Sequence, residues 1–295
     1  MANVHYGKIG DVWKHLPLAE ILSIEKPHRY WESHAGSAQY PLTHSMERDY
    51  GVFYFLEHAG KSPVLNNSAY FHLLNSLRHK DEFLRTYPGS PLTAAALLGT
   101  GCESYLFCDL DGASLDNIRK SALPSNTTDL HIEYIKNDGV LALQQKALQL
   151  SQDDISKTFV HIDPYDPLEK SKTGINSIDL FCDMTQRGAK TMLWYGFDSQ
   201  IVRKFICEAI ETSPKNPKHD KISNCLWCGE INLSALETLD RINPGIKGCG
   251  ILCGNLRKQT TDACSKLGKE LAKIYEHARF PDGTSGALDF SVVPL

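Results

Sequence analysis

The 295-residue chain is 42% hydrophobic and 22% charged, the proportions of an ordinary globular protein long enough for one large domain or for a domain carrying an insertion. Its formal charge of −4 argues against a protein that grips nucleic acid with its whole surface and leaves room for a local basic patch. No run of about 18 apolar residues marks a membrane span, and the polar start MANVHYGKIGDVWKH has no apolar signal core, so a cytoplasmic location is expected.

The first element is DVWKHLPLAEILSIEK. It spaces Val12, Trp13, Leu16, Leu18, Ile21, Leu22 and Ile24 near the helical period, with Asp11 as its cap and Pro17 in or beside the first turn. HRYWES is a short strand, followed by HAGSAQYPL. From residue 46 to residue 86, MERDYGVFYFLEHAG and AYFHLLNSLRHKDEFLRTY are helix-like with no strong strand between them, which predicts a helical insertion. YPGSPLTAAALLG then turns into a helix. YLFCDL is a strand, SLDNIRKSA a helix, HIEYI a strand and VLALQQKALQL a helix. TFVHI is a strand, INSIDLFCDMTQRG a helix, AKTMLWYGF a strand and SQIVRKFICEAIET a helix. NCLWCGEINL, KGCGILCGNL and ALDFSVVPL are late strands, with TDACSKLGKELAKIYEHA a helix between the last two. Repeated βα units with long crossovers predict an α/β fold, a mostly parallel, doubly wound sheet with antiparallel strands at one edge. Of nine cysteines, most read as reduced core thiols. The pairs Cys225–Cys228 and Cys249–Cys253 lie in strand-like segments, whereas zinc knuckles sit on turns, so no metal site is expected.

The turns after the strands form a series. Glu32-Ser33-His34-Ala35-Gly36-Ser37-Ala38 is made of small residues that allow close approach of a nucleotide-like ligand. It is not a GxGxxG dinucleotide fingerprint, because His34 stands where a glycine belongs. Asp109 ends YLFCD, where an acid commonly binds ribose hydroxyls. Asn137-Asp138-Gly139 places an acid that can accept from an adenine amino group. In VHIDPYDP the prolines lack the N–H a central strand needs, so Asp163 lies just past a strand's carboxyl end, the ligand edge of an open α/β sheet. Each turn alone also reads as a plain polar turn. In order, they are the layout of a class I S-adenosylmethionine-dependent methyltransferase with a Rossmann-like fold.

GDVWKH (10–15), ESHAGSAQY (32–40), YPGSPL (87–92), the strand with Asp109, NDG (137–139), VHIDP (160–164), LWY (193–195), GCGIL (248–252) and VVP (292–294) together resemble the RlmJ-type 23S rRNA adenine-N6 methyltransferases. The resemblance implies one methyltransferase domain over 1–295 with the insertion at 46–86 inside it. It implies S-adenosyl-L-methionine as cofactor, contacted by His15, His34, Gly36, Ser90, Asp109, Asp138, Gly139 and Asp163. Asp163 and Pro164 would accept the N–H groups of the amine to be methylated, and an aromatic residue would stack on the flipped base. The motif departs from the family's DPPY: Tyr165 is one position early, and Asp166 adds a charge that a neutral purine does not require. The family's NPPW is replaced by CGNL, and its N-terminal basic stretch, which accompanies a tyrosine, is not present in MANVHYGK.

The acceptor therefore stays open between RNA, a small molecule taken up by the same scaffold, and no acceptor at all in a protein that uses bound S-adenosylmethionine differently. Asp166 is either substrate-facing or the cap of the next helix. Arg78, His79, Lys80 and Arg85 either face phosphate or form a solvated face. Trp194 and Tyr195 either line the pocket or pack in the core. No membrane partner is expected, and the chain is expected to be a monomer or weak homodimer.

Overall fold

The protein is described from a computed structural model covering residues 6–78, 83–121, 130–213, 226–233, 246–276, 278–279, 285–286 and 288–294. Its strands are β1 (Arg29–Glu32), β2 (Gln39–Pro41), β3 (Thr86–Pro88), β4 (Ser104–Asp109), β5 (His131–Lys136), β6 (Thr158–Ile162), β7 (Lys190–Phe197), β8 (Leu226–Asn232), β9 (Gly248–Gly254), the short pair β10 (Ala278–Arg279) and β11 (Ser285–Gly286), and β12 (Asp289–Val292). The main sheet has the order β12-β8-β9-β7-β6-β1-β4-β5. β7, β6, β1, β4 and β5 run parallel. β9 is antiparallel to both β7 and β8, and β12 is antiparallel to β8. The antiparallel character expected at one edge thus begins two places inside it, at β9.

Successive residues of β1 serve opposite layers, as the pleat requires. Tyr30 packs in the core formed with α1 (Ile9–Glu25), α5 (Ala69–Ser76), α6 (Ser90–Leu98), α7 (Gly112–Lys120) and α12 (Lys258–Tyr275). Trp31 packs in the core formed with α8 (Gly139–Ala147), α9 (Gln152–Ser156), α10 (Ser177–Gln186) and α11 (Gln200–Thr212). From β1 the chain winds outward through β4 and β5, then returns across the sheet to β6 on the other side of β1. The strand order reverses there, which makes the carboxyl ends of β1, β4 and β6 the switch point where such sheets bind ligands.

α1 begins three residues earlier than its sequence suggests, with Lys8 rather than Asp11 at the cap position. Asp11 is its third residue rather than its cap, and the Asp11 carboxylate accepts from the Lys8 backbone N–H in a capping box. Pro17 lies within the helix, in its third turn, and is buried. Between β2 and β3 the described residues form α2 (Met46–Arg48), a π-turn (Asp49–Phe53), α3 (Tyr54–His58), α4 (Pro63–Asn66) and α5, with no strand among them. β2 and β3 pair antiparallel, Tyr40 opposite Tyr87, so this excursion leaves and rejoins the body at one clasp. The helical interval accordingly stops short of residue 86, where β3 starts. Both clasp strands are three residues long and end in proline, which hides them from strand patterning. Among the described residues no helix is long and apolar enough to cross a membrane.

Candidate active site at the carboxyl edge of the sheet

The turn after β1 is fixed by its own amides. Ser33 N–H donates to His161 O (3.1 Å), Ala35 N–H to Cys108 O (2.9 Å), Gly36 N–H to Asp109 Oδ2 (2.8 Å) and Ser37 N–H to the Tyr40 hydroxyl (2.8 Å). Gly36 has φ +59°, and a Cβ there would stand 2.7 Å from the Tyr40 oxygen, so both conformation and space demand glycine. Asp109 also accepts from Asp111 N–H (2.7 Å) through Oδ1, so its carboxylate ties the β1 turn to the β4 turn. Asp138 caps α8, accepting from the amides of Val140 (2.9 Å) and Leu141 (3.3 Å). A Cβ on Gly139 would lie 1.7 Å from Ser33 O, so the head of α8 is pressed against the β1 turn.

The charges of these acids act on His34. Removal from water lowers the His34 pKa, and Asp163, Asp109 and Asp138 all oppose that shift. Its Nδ1 lies 2.7 Å from the Ser33 hydroxyl. His15 points inward from α1, is buried, and contacts the Tyr87 hydroxyl at 2.7 Å through Nδ1. Burial, followed by the charges of Lys14 and His161, holds its pKa well below the usual imidazole value. Ser90 opens α6 and donates to Glu32 Oε1 (2.5 Å).

Asp163 follows β6 and is half-buried. Its Oδ2 lies 2.7 Å from Lys14 Nζ, which is also 3.1 Å from Asp11. Burial alone would lower the Lys14 pKa, but Asp163 and Asp11 outweigh it and hold the ammonium raised and charged. Trp194 lends its ring to the same ammonium, 5.6 Å from the centroid. Asp163 Oδ1 has no hydrogen-bond partner among the described residues. In the rest of DPYDP, Pro164 and Pro167 are buried and anchor the turn, whereas Tyr165 is 99% exposed and Asp166 is exposed. Asp166 caps no helix: its Oδ1 accepts from Leu168 N–H (2.8 Å) in a turn, and α10 begins only at Ser177.

Several residues singled out in the sequence lie elsewhere. Tyr195 is buried on the far face of the sheet, donating to Glu230 (2.6 Å). The glycines of GCGIL make room for rings: a Cβ on Gly250 would lie 2.2 Å from the Tyr195 ring, and one on Gly248 2.3 Å from the Phe197 ring. CGNL falls at the opposite edge from Asp163, because β9 runs antiparallel to β7 and sets Gly254 against Thr191. There Asn255, at φ +58°, donates to the carbonyls of Thr185 and Ala189. His79, Lys80 and Cys225 lie outside the described residues. Among the described residues no group of three or more His, Cys, Asp or Glu could hold a metal.

Sequence reasoning passed over Lys14, Glu32 and His161. Glu32 and His161 are both 0% exposed, with His161 Nδ1 2.8 Å from Glu32 Oε1. Their signal was present: each is a polar residue in a strand whose neighbours are apolar or aromatic. Lys14 sits one residue from His15, but its meeting with Asp163, 149 positions along the chain, is a tertiary event.

The sheet order, the switch point and the turns around His34 define a Rossmann-like methyltransferase fold. The chain belongs to the family described as ribosomal RNA large subunit methyltransferase D, RlmJ, whose family model matches residues 25–218. It is an S-adenosylmethionine-dependent methyltransferase. The crystal structure of protein LPL1258 from Legionella pneumophila strain Philadelphia 1, assigned to the DUF519 family, has the same fold: TM-score 0.72, 20% identity, 98% of each chain covered. The S-adenosylmethionine-dependent methyltransferase of Agrobacterium tumefaciens aligns at a TM-score of 0.38 and 14% identity over 82% of this chain and 60% of its own. No curated protein matches the chain significantly.

Proposed function

We propose that this methyltransferase acts on ribosomal RNA in the cytoplasm, at the exocyclic N6 of an adenine, and that Asp163 orients the amine. The observation that carries the reading is the divided Asp163 carboxylate: Lys14 holds Oδ2, and Oδ1 is left at the ligand edge of the sheet. The donor chemistry of the turns fits the cofactor. Asp109 has acceptor capacity for a ribose diol, Asp138 retains Oδ2 beyond its cap for an amino group, and the turn from Ser33 to Ser37 is pinned by its own amides and is made of small residues apart from His34. His34, Gly36, Asp109, Asp138 and Gly139 would hold it, with His15 and Ser90 supporting them from beneath. When bound, S-adenosylmethionine supplies a methyl group already activated by the sulfonium charge.

The chain's residues then have two tasks. Asp163 Oδ1, with the Pro164 carbonyl, accepts the N–H groups of the amine and aims its lone pair for in-line attack. As the nitrogen gains its methyl it must lose a proton; Lys14 is held protonated and cannot take it, so the proton passes to Asp163 Oδ1 or on to water. Lys14 also cancels the field of Asp163. An uncompensated carboxylate would stabilise a full positive charge before reaction more than the spread charge of the transition state, which slows the step. Tyr165, exposed beside Asp163, is the ring available to stack on a base.

The test is transfer of labelled methyl from S-adenosylmethionine to unmodified large-subunit rRNA, run beside a metabolite extract. Label recovered as N6-methyladenosine after digestion is expected. Label confined to the metabolite fraction would establish a small-molecule acceptor, and cofactor binding with no transfer to either would remove the methyl-transfer assignment to this site.

A further inference from the structure

Glu32 and His161 form a buried polar pair that the chemistry above does not use. They lie directly opposite each other in the parallel ladder of β1 and β6, on the face covered by α1 and α6. Glu32 is fully satisfied: Oε1 receives the Ser90 hydroxyl and faces His161 Nδ1, and Oε2 receives the Tyr30 hydroxyl at 3.1 Å. Burial raises the Glu32 pKa, and His161 and Ser90 oppose the shift. Withdrawing a carboxylate from water carries a large desolvation cost that such partners only offset, and apolar residues of similar volume usually serve stability as well or better. A pair kept at that cost calls for a role other than stability.

Position supplies one. Glu32 is the last residue of β1, directly before the turn from Ser33 to Gly36. His161 stands two residues before Asp163, and its carbonyl accepts from Ser33 N–H. The pair therefore joins the base of the cofactor turn to the base of the acceptor turn. We infer that the Glu32–His161 pair is a positioning device that sets the separation of those two turns, and with it the distance between methyl donor and acceptor. This rests on the functional reading above. Each turn keeps its own ligand contacts without the pair, so its loss acts on turnover and leaves the two binding steps alone.

The experiment compares His161→Leu, which removes the donor, with His161→Asn, whose amide can replace Nδ1 towards Glu32. In His161→Leu, kcat with rRNA should fall roughly 10–100-fold, while the S-adenosylmethionine Kd and the rRNA KM stay within about threefold of wild type. His161→Asn should stay near wild type. Unchanged kcat in His161→Leu, or a loss of cofactor affinity and folding in step with kcat, overturns the inference. So does restoration by His161→Gln but not by His161→Asn, which would shift the role to Nε2. If His161→Leu does not fold, Glu32→Gln takes its place, with the same split between kcat and binding expected. If the wild-type protein methylates no rRNA, the acceptor reading falls separately, and the pair is read by amide exchange. Ser33, Ala35 and Gly36 should then exchange faster in His161→Leu than in His161→Asn, and equal protection overturns the inference.

Discussion

Asp163 and Lys14 hold one another, and the pair predicts how each behaves when changed. Asp163→Asn keeps the shape of the turn and removes the charge, leaving Lys14 to Asp11. Turnover should fall roughly 100-fold or more, since a loosened orienting group costs about that factor, while calorimetry finds cofactor affinity nearly unchanged. Full activity on the true acceptor would reduce DPYDP to an acidic turn. His15 makes a second prediction at this scale. Its folded pKa is depressed, first by burial, whereas the unfolded chain regains the usual value of about 6.5. Between those values the unfolded state carries more protons, so the stability His15 contributes is complete above about pH 6.5 and is lost as pH falls. About 1 kcal/mol should disappear between pH 7.5 and 5.5. Urea denaturation at both pH values should show this loss in the wild type and a smaller one in His15→Gln, and equal losses would acquit His15.

α8 abuts the turn after β1 closely. With Ser33 O 1.7 Å from where a Cβ would stand, Gly139→Ala forces the head of α8 off the turn. A cost of about 1–3 kcal/mol in stability is expected, the usual range for overpacking, measurable by chemical denaturation. The same displacement moves Asp138, so calorimetry with S-adenosylmethionine should show weaker binding. Unchanged affinity would take the turn at Asp138 out of the cofactor site. A comparable contact joins the insertion to the body: the Tyr275 hydroxyl, at the end of α12, donates to the carbonyls of Tyr50 (2.8 Å) and Gly51 (3.1 Å) in the π-turn. The insertion is thus held at the clasp of β2 with β3 and again at α12.

Across the whole molecule, the end of the chain closes on its beginning. Phe290 of β12 meets Trp13 of α1 edge-on, with ring centroids 5.3 Å apart, and its ring fills the space above Gly268 where a Cβ would stand at 2.3 Å. This closure favours one cooperative unit for residues 1–295. Unfolding followed by tryptophan fluorescence and by circular dichroism should give coincident single transitions. Phe290→Ala should shift them together by about 2–3 kcal/mol, below the range for a fully buried ring because Phe290 is only partly covered. Two separated transitions would divide the chain into independent units.

Local pattern determined the strand and helix series, the doubly wound sheet and the carboxyl edge on which the candidate site lies, because apolar periodicity and proline or glycine punctuation are properties of neighbouring residues. It was enough to place Asp109 and Asp163 at strand ends. It missed the β2–β3 clasp, where three-residue strands ending in proline have too little pattern to read, and it misplaced the start of α1, where a lysine rather than an aspartate holds the cap position. Only tertiary structure decided which polar residues are partners. Lys14 reaches Asp163 because α1 lies across the end of β6, and Glu32 faces His161 because β1 and β6 become neighbours only when the chain returns across the sheet. Tertiary structure also turned CGNL to the opposite edge, because the antiparallel sense of β9 exists only once that strand pairs with β7 and β8.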